Sequence, residues 1–91
     1  MSGACEGTVV IQNKFGLHAR PAAEFVKTAH GFEAEVWVRK EDLEVNGKSI
    51  MGMMMLAAEH GSEIVIRAAG SDAERAVETL VALVNGRFGE D

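Results

Sequence analysis

Ninety-one residues, 47% hydrophobic and 25% charged, make a chain long enough for one small folded domain and too apolar to stay disordered. The net charge of -5, from 9 Lys and Arg against 14 Asp and Glu, argues against a nucleic-acid partner, which would need a basic surface. A lone cysteine excludes an internal disulfide, no apolar run reaches the ~18 residues of a membrane span, and the first residues lack the basic-then-apolar order of a signal peptide, so a cytoplasmic protein without membrane insertion is expected.

No repeat and no linker-like stretch divides the chain, and residues 1–91 are read as one domain. Cys5 precedes the first patterned segment and is read as an incidental thiol in a mobile N-terminal stretch. Residues 8–12 are short and β-branched, the mark of a strand, and Asn13-Lys14-Phe15-Gly16 is a loop. From His18 the spacing turns helical: Ala22, Phe25, Val26 and Ala29 fall at i, i+3, i+4 and i+7, until His30-Gly31 ends the run. Ala34, Val36 and Val38 then alternate with Glu33, Glu35, Trp37 and Arg39, which predicts a half-buried strand with Trp37 on its outer face. A polar turn at residues 40–42 leads into a shorter strand carrying Leu43 and Val45, completing a hairpin.

Ser49 opens a short apolar helix predicted to run over residues 50–58, stopping near His60-Gly61. Residues 63–68 form a fourth strand. Ser71 with Glu74 has capping-box spacing, and Ala76, Val77, Leu80, Leu83 and Val84 stripe a last helix that Gly86 stops. The order βαββαβα, with one apolar face per element, predicts an α+β fold: a four-stranded antiparallel sheet with three helices on one face.

The stretch Phe15-Gly16-Leu17-His18-Ala19-Arg20-Pro21-Ala22-Ala23 carries the most chemistry. With His18 as N-cap, Pro21 sits in the first turn, where its missing N–H costs nothing, and the amides of Ala19 and Arg20 have no partner inside the helix. Free amides at the positive end of a helix dipole, beside a guanidinium, suit an anion, phosphate above all. A neutral imidazole there is a nucleophile, which makes His18 a candidate phosphoryl acceptor with Arg20 steadying the new charge. A polar cap beside a surface arginine is the plainer alternative. His30 and His60 each precede a glycine at an expected helix end, where a basic ring suits the dipole. No zinc-type spacing, phosphate-loop motif or Ser-His-Asp set is present, and no cofactor or metal is expected.

The second motif is Asn46-Gly47-Lys48-Ser49-Ile50-Met51-Gly52. Ser49 is a good N-cap, and the helix it opens is apolar nearly all round. Some of Ile50, Met51, Met53, Met54 and Met55 should therefore face water as an adaptable patch. A phosphate on Ser49 would place charge beside that patch and weaken docking without unfolding the helix.

Gly16-Leu17-His18-Ala19-Arg20-Pro21-Ala22 together with Lys48-Ser49-Ile50-Met51-Gly52 resembles the HPr family, the histidine phosphocarriers of the bacterial phosphotransferase system, over nearly the whole chain. The resemblance implies an open-faced sandwich of strand order 1-4-2-3. It implies phosphorylation of His18 on Nδ1, contact of Arg20 with the phosphate, and the α-helix start at Ala19 and Pro21 around it. Phosphoryl groups would come from Enzyme I and pass to an EIIA protein or domain, the carrier being a monomer and not itself an enzyme. Ser49 would match the serine modified by an HPr kinase/phosphorylase. Ile50, Met51 and Met54, bordered by Ala23 and Lys27, would match the partner-docking patch. Asn13-Lys14-Phe15 and residues 84–91 resemble the nitrogen-related branch, which regulates rather than drives sugar uptake, whereas Lys48-Ser49-Ile50 resembles the kinase-regulated type. Two rival readings are a regulatory binding module acting through Ser49 and the methionine-rich helix, and a stand-alone hydrolase. The second is disfavoured because no further acid or base accompanies His18 in the sequence.

Overall fold

The computed structural model describes residues 3–90. The elements run β1 (Gly3–Val10), α1 (Ala19–Ala29), β2 (Glu35–Lys40), β3 (Leu43–Asn46), α2 (Ile50–Met55), β4 (Glu63–Gly70) and α3 (Ala73–Asn85), followed by one 3-10 turn at Arg87–Gly89. The strands form one antiparallel sheet in the order β1-β4-β2-β3. Strand alternation sends Val9, Val36, Val38, Ile64, Ile66 and Ala68 inward. There they meet Ala22, Phe25, Val26 and Ala29 of α1 and Ala76, Val77, Leu80 and Val84 of α3 in one buried core. Each fully buried Leu, Val, Ile or Phe contributes about 1.5–3 kcal/mol, so this layer is the main support of the fold. Helix α2 adds only Met53 to the core.

Four expectations need correction. Strand β1 starts at Gly3 rather than at residue 8, because the full length of β4 pairs with it, from Gly3 opposite Gly70 to Val10 opposite Glu63. Cys5 therefore lies inside a strand, opposite Ala68 and partly buried against the core, and is no thiol of a mobile tail. Two residues on, Gly7 lets α3 approach closely: a Cβ there would stand 2.9 Å from Val77 Cγ1. Helix α2 stops at Met55 instead of reaching residue 58, since Ala57 turns left-handed (φ 52°). His60 thus sits in a loop, away from any helix end. The cap of α3 is Asp72 rather than Ser71, and its side chain does not cap its own helix.

The Asp72 carboxylate instead accepts from the backbone N–H of Glu33 (2.9 Å) and of Ala34 (2.8 Å), clipping the entry of β2 to the entry of α3. The bond from the Glu33 amide is the largest influence on this carboxyl. With the Ala34 amide and Arg75, it outweighs desolvation and holds the group below its ordinary value of 3.8. A carboxyl depressed in the folded state binds protons more readily when unfolded, so its stabilisation is present at neutral pH and is lost as pH falls below about 4. Melting curves of the wild type and of Asp72→Asn should accordingly differ at pH 7 and draw together as the pH falls below about 4; a difference that does not change with pH would show that the clip adds nothing.

On the sheet's open face Trp37 is half-buried rather than bare. The Arg67 guanidinium, on the paired position of β4, lies 4.2 Å from its ring centroid and reaches Glu44 at 3.4 Å. Cation–π stacking explains an outward tryptophan on the face of the sheet that no helix covers.

Candidate functional site

His18 occupies the N-cap of α1 in an extended conformation, and its carbonyl takes the first helical hydrogen bond from the Ala22 amide at 3.0 Å. Its side chain makes no capping bond. The amides of Ala19 and Arg20 lie in the first turn, beyond the reach of intrahelical acceptors. Pro21, buried beneath them, brings no N–H and pins the helix start to the core.

The ring turns instead toward the C-terminal segment, with Nε2 3.1 Å from Glu90 Oε1. The same oxygen accepts from Asn13 Nδ2 at 3.0 Å. Asn13 is fully buried, and Nδ2 also donates to the Gly16 carbonyl at 2.7 Å. Two acceptors on one side settle which way this amide faces, and they leave Oδ1 buried without a hydrogen-bond partner among the described residues. The loop is closed by Gly16 N–H to the Asn13 carbonyl (3.2 Å) and by Leu17 N–H to the Ala58 carbonyl (2.8 Å). His18 is thus held from the loop before it, from the segment after α2 and from the C-terminal turn.

Desolvation pushes the Glu90 carboxyl up, but the hydrogen bonds from His18 and Asn13, with the charges of His18 and Arg20, more than offset it and hold the group below its ordinary value. An ionised carboxylate only accepts. Nε2 must therefore be the donor, and in the neutral ring the lone pair is left on Nδ1. The His18 side chain is 42% exposed, so a macromolecular partner can reach it. Phe15 stands edge-on to it, centroids 6.3 Å apart, and the Lys14 ammonium lies 5.4 Å from the Phe15 ring centroid. Lys14, Phe15, His18, Arg20 and Glu90 line an open depression of about 450 Å³. The arrangement presents a nucleophilic nitrogen, two cations and a helix N-terminus on a shallow surface.

Ser49 is the N-cap of α2, and its Oγ accepts from the Gly52 amide at 3.0 Å. The turn before it is tied to the far end of α1: Lys48 Nζ donates to the Phe32 carbonyl at 2.7 Å, and His30 Nε2 lies 3.1 Å from the Lys48 carbonyl. His30 is the C-cap of α1, as its spacing predicts, and in addition it joins the two helices. Ile50, Met51 and Met54 are exposed, with Met55 beside them, while Met53 points into the core. On α1, Ala23 is half-buried and Lys27 exposed. Sequence reasoning missed four members of the site, Lys14 among them as an ordinary loop cation. Phe15 is an isolated aromatic in a loop, Asn13 gives only the weak signal of an Asn three residues before a Gly, and Glu90 gives none. Among the described residues no three metal-ligating side chains come together, and no helix is long and apolar enough to cross a membrane.

Fold and site together define a class: an open-faced sandwich presenting a surface histidine at a helix N-terminus, with no enclosed cavity around it. The family model for the PTS HPr component phosphorylation site matches residues 5–86. The phosphocarrier protein HPr of Neisseria meningitidis serogroup A is 52% identical over 83 residues, 91% of this chain and 93% of the relative. The phosphocarrier protein NPr of Escherichia coli K12 is 39% identical over 85 residues, 92% of this chain and 94% of the relative. Among solved structures, HPr from Thermoanaerobacter tengcongensis superposes with a TM-score of 0.92 at 48% identity, covering 96% of this chain and 98% of that one. The chain belongs to the HPr family of the phosphotransferase system, whose members are phosphocarriers rather than catalytic enzymes.

Proposed function

We propose that His18 accepts a phosphoryl group on Nδ1 from phospho-Enzyme I and passes it to an EIIA protein or domain. The observation that carries this reading is the bond from Nε2 to Glu90, which leaves Nδ1 as the free lone pair beside an open helix N-terminus. In the forward step the Nδ1 lone pair attacks phosphorus, the donor's bond to phosphorus breaks, and its electron pair stays with the donor. Arg20, Lys14 and the amides of Ala19 and Arg20 offset the phosphate charge; none is buried deeply enough to trap it, which suits a carrier that must give the group away. One copy of the chain supplies every group, so residues 1–91 act as a single monomeric domain, in the cytoplasm where phosphoenolpyruvate is available. The higher identity to an HPr than to an NPr favours sugar uptake over the nitrogen-related branch. Ser49 is the regulatory position: an HPr kinase/phosphorylase would place a phosphate between α2 and the Lys48–Phe32 tie, at the edge of the docking patch formed by Ile50, Met51, Met54, Ala23 and Lys27.

The test is the intact mass of the protein after incubation with phosphoenolpyruvate and Enzyme I. Gain of one phosphate, stable in base and lost in acid, is expected; no gain with a demonstrably active Enzyme I overturns the reading. Within it, Glu90 is a positioning residue. Glu90→Ala should convert the 15N spectrum of the neutral His18 ring from one tautomer to a mixture and slow transfer about fivefold, the scale of one hydrogen bond. An unchanged tautomer ratio would remove Glu90 from the mechanism.

A further inference from the structure

Methionine fills four of the six positions of α2, and no other described residue is a methionine. The four are in sharply different surroundings. Met51 is 74% exposed, Met55 64% and Met54 44%, whereas Met53 is wholly enclosed in the core. Three solvent-facing thioethers therefore lie within five residues, on the helix assigned above to partner docking, and the thioether that anchors that helix is shielded. The one thiol, Cys5, is partly buried in β1.

We propose that Met51, Met54 and Met55 are an oxidation site through which peroxide-class oxidants control partner docking; the inference rests on the docking role assigned above to this helix. A sulfur lone pair attacks one peroxide oxygen, the O–O bond breaks and an S–O bond forms. The other oxygen leaves as hydroxide and takes up the proton of the transferred oxygen to become water. The thioether loses two electrons and the peroxide gains them. The product places a strong dipole where an apolar, adaptable side chain had been. Docking against an apolar partner surface then requires desolvating those dipoles without a hydrogen-bond partner. Nothing in the fold need change, because the helix is anchored by Met53 and by the Ser49 cap, and neither is altered. His18 and Arg20 lie on a different helix and keep their chemistry. Three of the four sulfurs can thus be oxidised without loss of the core, and the change is reversible by methionine sulfoxide reductases.

The experiment uses the full chain carrying Cys5→Ser, treated with dilute hydrogen peroxide and mapped by peptide mass spectrometry. Oxygen should appear at Met51, Met54 and Met55 while Met53 is spared, with the melting curve unchanged. The KM for transfer from phospho-Enzyme I should rise roughly tenfold at constant kcat and fall back after reductase treatment. A Met51→Leu, Met54→Leu, Met55→Leu variant, whatever its own KM before treatment, should show the same KM after peroxide, because it has no exposed thioether left on this helix. Oxidation of Met53 in step with the others, an unchanged KM in the sulfoxide form, or a leucine variant that stays sensitive would each overturn the proposal. A parallel variant with glutamine at the same three positions separates the two readings. If it keeps the wild-type KM, the docking role itself is wrong; if it raises KM and the oxidised protein does not, only the oxidation site is wrong.

Discussion

Replacing His18 with alanine should abolish phosphate acceptance from phospho-Enzyme I and leave the fold in place. Both halves of this result follow from the geometry. The substitution removes the only imidazole in the depression formed by Lys14, Phe15, His18, Arg20 and Glu90, and no other side chain there is a nucleophile at neutral pH. The structural loss is small because the His18 side chain makes no capping bond, so the usual penalty of about 1 kcal/mol for losing a cap does not apply. What disappears is the bond to Glu90, a partly exposed pair of the kind worth about 0.2–1 kcal/mol. For a chain of this size that corresponds to a fall in melting temperature of a few degrees, at most about 8 °C. Intact mass after incubation with Enzyme I and phosphoenolpyruvate, together with a thermal melt, checks both halves. A phosphate retained on His18→Ala in acid-labile form would move the acceptor to another residue. A collapsed melting transition would make His18 a structural residue first.

The parts of this fold that could be read from the sequence are those whose signal is local. Ala22, Phe25, Val26 and Ala29 mark one helical face by spacing alone, and all four are buried. The hairpin of β2 and β3 is equally local, with alternation on both sides of a polar turn. The first five residues of β1 were hidden for the opposite reason. Gly3, Ala4, Cys5, Glu6 and Gly7 have little strand preference of their own and become a strand because β4 offers them a partner along its whole length. The end of α2 was hidden because a left-handed alanine, Ala57, has no sequence signature.

The site divides along the same line. His18, Arg20 and Pro21 lie within four residues and could be interpreted as a helix start that binds an anion. Asn13 and Glu90 could not, since the bond between them joins positions 77 residues apart. Glu90 arrives there through a left-handed turn at Arg87 and Phe88 (φ 60° and 55°), with Phe88 half-buried against the core. The contact that sets the imidazole's tautomer is therefore a product of the whole fold closing, and the local motif that names the family is silent about it.

The same closure makes Gly16 the most sensitive position in the loop that carries His18. Its backbone is left-handed (φ 69°), and a Cβ would stand 2.5 Å from the Ala58 carbonyl oxygen and 2.8 Å from Glu59 Cα. Both are backbone atoms, so neither can swing aside as a side-chain tip would. Gly16→Ala must therefore part the loop from the segment after α2, breaking the Leu17–Ala58 bond and disturbing the Asn13 amide that braces Glu90. The expected cost is about 2–4 kcal/mol, combining left-handed strain with the enforced displacement. A fall in melting temperature of at least roughly 10 °C follows. Transfer from phospho-Enzyme I should slow at least about tenfold in the fraction still folded, because displacing the ring by about 1 Å spoils the attack geometry. Gly61→Ala is the matched control: its φ is 90°, yet a Cβ there has nothing within 4 Å, so it experiences the strain without the collision. Gly61→Ala should destabilise by about 1–2 kcal/mol and transfer phosphate at the wild-type rate. Equal losses for the two variants would mean that the close approach of the loop to Ala58 does not govern the site. A larger loss for Gly16→Ala in both melting and transfer would locate the control of His18 in that one backbone contact.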